Sequence, residues 1–266
     1  YEKGKRYPLV VQVHGGPAGA DMNNFSGNYG SYIHIFAANG YAVLRVNYRG
    51  SDNYGEKFRV QISGDYFRQG YDDIITGVDY LIARGIADPD KLGMMGWSAG
   101  GHWSNWTLTH TDRFKALVCH DGNIDEQMAY FDTEELWFPE TDHEGTPWDN
   151  PQGYARHNPI EHVAKWKTPM LVIHGEQDFR VPVTEGMQAF TALHRGPLVH
   201  LRPVAGPAHQ HALDGGENLR IGGVEVRVAY TPGHAVHHVS YFETADGTAF
   251  AGDVGGKIIR PFQNVA

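Results

Sequence analysis

Short apolar runs alternate with amphipathic stretches from the start of this 266-residue chain to about residue 195. The predicted strands lie at 8–14, 41–47, 91–97, 115–120 and 169–175. Because these runs are nearly continuous and rich in β-branched residues, they are typical of strands buried on both faces. The predicted helices between and after them lie at 71–85, 102–114 and 182–195. The alternation predicts an α/β fold with a mostly parallel sheet that helices cover on both sides.

Two regions depart from this alternation. Residues 121–165 are rich in Trp, Pro, Asp and Glu, and we interpret them as an excursion beyond the carboxyl edge of the sheet, where ligand-contacting insertions lie in such folds. The last part of the chain alternates with a period of two and predicts antiparallel strands at 224–230, 237–243 and 248–252. We therefore expect an α/β catalytic domain over residues 1–200 and a β-rich tail over 201–266.

Composition excludes several classes of partner. The net charge of -9 argues against binding to nucleic acid or to an anionic membrane surface. No apolar run approaches the roughly 20 residues that a spanning helix needs. The single cysteine, Cys119, lies in the apolar run FKALVCHDG and is predicted to be a core residue, so no intrachain disulfide is expected. The first residues show no signal peptide and enter a strand at once, as if sequence upstream had been removed, and localisation stays undetermined.

A G-x-S-x-G motif, GWSAG at 96–100, lies between a predicted strand and a predicted helix. In that context the serine occupies a tight, strained turn, and its hydroxyl points out of the sheet toward backbone N–H groups at the helix N-terminus. The motif predicts that Ser98 is a nucleophile and that the N–H of Ala99 is one oxyanion donor.

A serine nucleophile needs a base and an orienting acid, which follow it in the order acid, then histidine, in this kind of fold. Asp178 comes directly after the strand at 169–175 and is the predicted acid, with Glu176 as the competing carboxylate. The stretch VHGGP at 13–17 also ends a strand, and it predicts a second oxyanion donor at Gly15 or Gly16; a simple Gly-Pro turn is the alternative.

Several stretches arrive in the order of one known family. They are YPLVVQVHGGP, FAANGYAVLRVNYRGSDNYGEKF, DDIITGVDYLIARGIADPDKLGMMGWSAGG, TEELWFPE and NPIEHVAKWKTPMLVIHGEQDFRVPVTEGMQAFTALHR. From residue 7 to about 196 the chain thus resembles the catalytic domain of the prolyl oligopeptidase family of serine peptidases, in its dipeptidyl-peptidase and acylaminoacyl-peptidase branches. The resemblance implies an α/β-hydrolase fold with Ser98 as nucleophile and Asp178 as triad acid. Some branches carry an oxyanion-binding tyrosine where this chain has His14, so a backbone donor is expected.

The resemblance is incomplete at both ends. Family members carry an N-terminal β-propeller that restricts access to peptides, so we expect the filter to be absent or supplied by another chain. The family histidine normally follows a last strand; His209, 31 residues after Asp178, falls near that place and is the predicted base. His211 is the alternative base, and a third possibility is that neither histidine faces Ser98.

Residues of about 202–260 resemble part of a metallo-β-lactamase-fold hydrolase. The marks are T-P-G-H, ending at His234, and A-G-D, ending at Asp253. These two residues are weak metal candidates, because the H-x-H-x-D-H loop that supplies most ligands in that fold is missing and a catalytic zinc normally has three protein ligands. We expect no metal and no cofactor.

The predicted function is that of a serine hydrolase that cleaves peptide, amide or ester bonds through an acyl-enzyme on Ser98. The alternatives are a zinc metallohydrolase that uses the C-terminal segment and a non-catalytic scaffold with a broken triad. Trp137, Phe138 and Trp148 either line an acyl pocket or pack in the core. The expected partner is a peptide or ester substrate, and a homo-oligomer is left open.

Overall fold

The computed structural model describes residues 2–24 and 33–195, together with the backbone of four later strands. The chain divides into two compact units. The first comprises residues 1–23, 35–174 and 178–201, and the second comprises 24–34, 175–177 and 202–266.

The first unit is built on a five-stranded sheet. Its strands are β1 (Tyr7–Val13), β2 (Ala42–Arg45), β3 (Ala87–Trp97), β4 (Ala116–His120) and β5 (Met170–Ile173). They run parallel in the order β2-β1-β3-β4-β5, so every neighbouring pair needs a crossover connection. The register pairs Val13 with Gly96 and Trp97 with His120. The carboxyl ends of β1, β3 and β4 therefore meet at one edge, which is where such sheets bind ligands.

Eight helices are described in this part of the chain. They are α1 (Ile33–Ala38), α2 (Glu56–Arg59), α3 (Tyr66–Ala83), α4 (Ala99–His110), α5 (Glu126–Asp132), α6 (Trp137–Asp142), α7 (Pro151–Ala155) and α8 (Val183–Arg195), with short 3-10 helices at Val60–Ile62 and Pro159–Lys165. The three predicted helices are confirmed as α3, α4 and α8, although α3 and α4 begin a few residues earlier than expected. The excursion predicted over 121–165 contains α5, α6 and α7.

The core lies between the sheet and its covering helices. Helix α4 is buried from Ala99 through Thr109, because it packs against β3 and β4 on one side and against α3 on the other. Trp103 and Trp166 contribute the largest fully buried side chains of this core. Cys119 is 1% exposed, and burial raises the pKa of its thiol to about 12, so the prediction of a core cysteine is confirmed.

The second unit contains a four-stranded antiparallel sheet. Its strands are β6 (Asn218–Ile221), β7 (Val224–Tyr230), β8 (Val239–Glu243) and β9 (Ala249–Ala251), in that order. The antiparallel prediction is confirmed, but the expected number of three strands was wrong. The strand that was missed is β6, which pairs with β7. Its four residues are too few to show a clear alternation in the sequence. In the parts of the chain that the structure describes, no helix has both the length and the apolar character to cross a membrane.

Candidate active site

Ser98 occupies a sharp turn between β3 and α4. Its φ of 57° and ψ of -123° lie in a region that non-glycine residues rarely adopt. The N–H of Ser98 donates to the carbonyl of His120 at 2.9 Å, which fixes the turn to the end of β4. The strained turn predicted from GWSAG is therefore present, and Ser98 lines a pocket at the carboxyl edge of the sheet.

The first turn of α4 lies directly against the end of β1. A Cβ atom added at Gly100 would stand 2.1 Å from the carbonyl oxygen of Val13, so only glycine fits there. This close approach brings the positive N-terminal end of α4 to the edge where Ser98 lies. A negative charge that develops beside Ser98 would be stabilised by that end of the helix.

The residues predicted to bind an oxyanion surround the same space. Gly16 and Ala99 line the pocket together with Ser98. A Cβ atom at Gly15 would stand 3.2 Å from the Cβ of Ser98, so the backbone at Gly15 passes beside the serine. The imidazole of His14 is engaged within the fold, since its Nε2 lies 2.9 Å from Oγ of Ser51 and its ring stacks on Tyr48. The donor roles of Ala99, Gly15 and Gly16 stay predictions.

Asp178 follows β5 and is only 7% exposed, whereas the competing Glu176 is exposed. Its Oδ1 accepts backbone N–H groups from Arg180 at 2.9 Å and Val181 at 3.0 Å. No hydrogen bond from the described part of the chain reaches its Oδ2. Among the described residues, the carboxylate is thus held through Oδ1 alone.

Asp178 also belongs to a small group of metal-type ligands. One ligand atom from each of Asp121, His174 and Asp178 lies within 4.8 Å of the others, and this is the one such group found among the described residues. Two of its members already have partners: Oδ2 of Asp121 lies 3.2 Å from Nε1 of Trp97, and Nε2 of His174 donates to the carbonyl of Val181 at 2.6 Å.

The pocket beside Ser98 has an empty volume of about 620 Å³, counting the space open to solvent. Apolar groups form much of its wall; they are Pro17, Ala129, Phe138, Pro139 and Val181. The other lining residues are polar or charged, among them Asn123, Thr133 and Arg180. This combination of apolar walls and a few polar groups is typical of small-ligand and substrate sites.

A buried carboxylate lies between two histidines in this pocket. Oε1 of Glu126 is 2.5 Å from Nε2 of His102, and Oε2 is 2.9 Å from Nε2 of His143. Burial alone would raise the pKa of Glu126, but the charges and hydrogen bonds of the two imidazoles outweigh it and lower the pKa to about 2. Burial lowers the pKa of His102, and the neighbouring carboxylate of Glu126 opposes that shift.

Asp142 is a second carboxylate in the pocket, and it has a different environment. No hydrogen bond or ion pair to its side chain is found among the described residues. Burial, reinforced by the charge of Glu126 and opposed by His143, raises the pKa of Asp142 to about 7. Arg180 also lines the pocket, and its Nε lies 2.8 Å from Oε2 of Glu135.

Sequence reasoning missed His102, Glu126, Asp142 and His143. One signal was present: His102 follows Ser98 by four residues, and residues at that spacing share a face of a helix. Asp142 and His143 lie in the excursion that was predicted to contact ligands, but nothing in their spacing selected them.

The predicted base and metal candidates cannot be compared with the structure, whereas the three predicted pocket aromatics can. His209, His211, His234 and Asp253 lie outside the described residues. Phe138 lines the pocket, whereas the side chains of Trp137 and Trp148 are 58% and 65% exposed. A core-packing role for these two tryptophans was therefore wrong.

A nucleophile-type serine turn at the carboxyl edge of a parallel sheet, with a carboxylate held after a later strand, defines an α/β-hydrolase fold. The sequence profile of the prolyl oligopeptidase family matches residues 28–225, and the chain belongs to this family.

Known relatives and structures agree with this membership. Dipeptidyl-peptidase 5 of Schizosaccharomyces pombe is 39% identical over 73% of this chain and 28% of its own length. The acylaminoacyl peptidase of Pyrococcus horikoshii superimposes with a TM-score of 0.67 and 28% identity, covering 73% of this chain and 31% of that one. A puromycin-hydrolyzing peptidase of Mycobacterium tuberculosis gives a TM-score of 0.67 and 30% identity over 73% of this chain and 29% of that one.

These comparisons also show how much of its relatives this chain covers and where the family match ends. The chain spans about 28% of the length of the curated relatives that it matches first. The family match continues to residue 225, beyond the end of the resemblance predicted near 196. The predicted resemblance of 202–260 to a metallo-β-lactamase-fold hydrolase finds no support in the comparisons.

Proposed function

We propose that this chain provides the catalytic centre of a serine peptidase that works by acyl transfer on Ser98. The observation that carries the proposal is the strained backbone of Ser98 at the N-terminus of α4, facing a pocket with apolar walls. Membership of the prolyl oligopeptidase family supports it, and the names of the relatives, a dipeptidyl-peptidase and an acylaminoacyl peptidase, support peptides or acyl-peptides as the substrate class.

The proposed steps use only groups of the chain. The hydroxyl of Ser98 attacks the scissile carbonyl, and His209 accepts its proton and later delivers it to the leaving group. Asp178 holds the imidazole through the oxygen that its backbone contacts leave available. The N–H of Ala99 and an N–H at Gly15 or Gly16 bind the oxyanion, and each such donor contributes about 10²–10³ in rate. Water then releases the acyl group.

The test is the reaction of the purified chain with a fluorophosphonate probe, followed by its intact mass. We expect one adduct on the parent protein and none on Ser98→Ala. The matched control is Ser104→Ala, since Ser104 is a fully buried serine of α4, the helix that follows Ser98, and its hydroxyl donates to the carbonyl of Gly100. Labelling of Ser98→Ala, or no labelling of the parent, would contradict the proposal.

The base is identified in the same experiment. If His209→Ala loses the adduct and His211→Ala keeps it, His209 is the base; the opposite result assigns the role to His211. Turnover alone is a weaker measure, since sites that lack one triad member retain about 10³-fold catalysis over water from the oxyanion hole and binding.

A further inference from the structure

Asp121 is a buried carboxylate that the proposed steps do not use. It directly follows β4, it is 1% exposed, and its φ of 49° lies in the left-handed region that non-glycine residues rarely adopt. Its N–H donates to the carbonyl of Ile173 at 2.9 Å, at the end of β5. Acidic side chains are almost never fully buried unless they are paired, so the contacts of this carboxylate decide what it does.

The carboxylate binds two residues that hold the nucleophile turn. The Nε1–H of Trp97 donates to Oδ2 of Asp121 at 3.2 Å, and Nε2 of His120 lies 3.2 Å from the same oxygen. Trp97 directly precedes Ser98, and the carbonyl of His120 accepts the N–H of Ser98 at 2.9 Å. One carboxylate oxygen thus connects the residue before the strained turn with the strand end to which the turn is bound.

Trp97 also lies against the loop that follows β1. A Cβ atom at Gly15 would stand 2.9 Å from the carbonyl oxygen of Trp97 and 3.3 Å from Cε3 of its ring. The same atom would stand 3.2 Å from the Cβ of Ser98, so the backbone at Gly15 passes beside both the indole and the nucleophile. Because protein interiors are closely packed, a rotation of this ring would displace the backbone that is predicted to carry an oxyanion donor.

From these contacts we propose that Asp121 is a positioning residue that fixes the indole of Trp97 by accepting its N–H. Trp97 in turn sets the distance between Ser98 and the oxyanion donor at Gly15. The inference rests on the proposed function, since it concerns the same acyl transfer. Neither side chain of the pair has to touch the substrate, because the pair acts through the backbone that binds the oxyanion.

The separation of kcat from KM reports this role. The oxyanion forms after the substrate has bound, so a displaced donor lowers kcat and leaves KM nearly unchanged. Acylation and deacylation both pass through an oxyanion, so kcat reports the donor whichever step limits turnover. Hydrolysis of p-nitrophenyl butyrate gives both constants, and fluorophosphonate labelling with intact mass counts the active sites. A loss of folded protein alone would lower the labelled fraction and leave kcat per labelled site unchanged.

Trp97→Phe and Asp121→Ala remove the hydrogen bond from its two ends. We expect each to lower kcat per labelled site by about tenfold, which is part of the cost of losing one oxyanion donor completely. The double variant should be no slower than the slower single variant, because both substitutions remove the same contact. Ala adopts a left-handed backbone less readily than Asp does. If Asp121→Ala does not fold, Trp97→Phe still tests the contact without that strain.

Asp121→Asn separates the hydrogen-bond acceptor from the charge. A carboxylate oxygen of Asp121 lies within 4.8 Å of one of Asp178, so a change of charge there also acts on the proposed triad acid. The amide oxygen of Asn can still accept the indole N–H, and Asn tolerates a positive φ, so we expect kcat within about twofold of the parent. Asp121→Asn as slow as Asp121→Ala would assign the effect to the charge and overturn the positioning role.

The matched control is Asp73→Ala in α3, where the carboxylate accepts the backbone N–H of Arg49 at 2.8 Å and pairs with its guanidinium. It removes a bonded, partly buried carboxylate from another element, and it should lower stability without changing kcat per labelled site. Unchanged kcat in Trp97→Phe, or additive losses in the double variant, would overturn the inference and leave the serine peptidase in place. No labelling of the parent would contradict the proposed function, and the inference would be lost with it.

Discussion

The backbone of Ser98 stores strain that the surrounding structure must hold. A non-glycine residue in such a region costs on the order of 1–3 kcal/mol, and it persists only where its neighbours determine it fully. Here the N–H of Ser98 is bound to the carbonyl of His120, and its carbonyl accepts from the N–H of His102. The backbone that carries the hydroxyl is consequently held in place before any substrate arrives.

Asp178 gives a residue-scale prediction about the proposed triad. In Asp178→Asn the amide oxygen can still accept the N–H groups of Arg180 and Val181, so the loop should keep its conformation. The amide nitrogen replaces the acceptor for the histidine, and loss of the correct tautomer should lower kcat by about 10³–10⁴. Ester hydrolysis and the melting temperature measure the two effects separately.

The control for this substitution is Asp112→Asn on the exposed loop after α4, where the carboxylate side chain is 70% exposed. It should retain parental activity. Full activity of Asp178→Asn would remove this carboxylate from the mechanism and redirect attention to Glu176.

Asp142 gives a prediction about stability and pH. Its pKa rises from an ordinary 3.8 to about 7 in the folded protein. Between these values the folded state holds a proton that the unfolded state has released. The free energy of unfolding therefore falls as pH rises from about 4 to about 7, and this group causes no further loss at higher pH. Asp142→Asn should therefore gain stability relative to the parent between about pH 4 and 7, by about 1–3 kcal/mol in all.

Urea unfolding at a series of pH values measures this difference. Glu161→Gln should follow the parental curve, because Glu161 is exposed. A difference between Asp142→Asn and the parent that stays constant from pH 4 to 8 would show that the carboxylate is not destabilised by burial.

At the scale of elements, α4 connects the core to the site. It is buried along nearly its whole length, so its position is set by packing against β1, β3 and β4. Helix α5 depends on α8 in a similar way: Oε2 of Glu185 accepts the N–H groups of Ile124 at 2.7 Å and Asp125 at 2.9 Å. Glu185 thereby fixes the start of the helix that carries Glu126.

Glycine substitutions test how closely α4 must approach the sheet. Gly100→Ala places a methyl group against the carbonyl of Val13, so α4 must shift, and we expect a loss of about 1–3 kcal/mol of unfolding free energy together with slower probe labelling of Ser98. Gly93→Ala is the matched control, since a Cβ there meets its nearest atom, the carbonyl oxygen of Ala116, at 3.8 Å. Equal stability of the two variants would contradict the close contact.

At the scale of the whole molecule, the proposed serine hydrolase and the metallohydrolase alternative differ in whether activity needs a metal ion. The proposed acyl transfer needs no ion, so dialysis against a chelator should leave ester hydrolysis unchanged. Activity that is lost on chelation and restored by Zn²⁺ would favour the metallohydrolase alternative. His234→Ala and Ser98→Ala then discriminate between the two, because each should abolish only the activity that depends on it.

The sequence by itself determined the parallel sheet, its three long helices and the turn at Ser98. Those features depend on local patterns: continuous apolar strands, helical periodicity, and a serine flanked by glycines. It also indicated Asp178, since the residue directly follows a strand.

Only the tertiary structure decided the character of the pocket. Glu126 meets His102 and His143 because α4, α5 and the end of α6 converge on one edge of the sheet, and these contacts join residues far apart in the chain. The charge of Asp142 depends on burial and on the absence of a nearby donor among the described residues, and neither can be derived from spacing. Chemistry that arises from local backbone geometry was therefore predictable from the sequence, whereas chemistry that arises from convergence and desolvation was not.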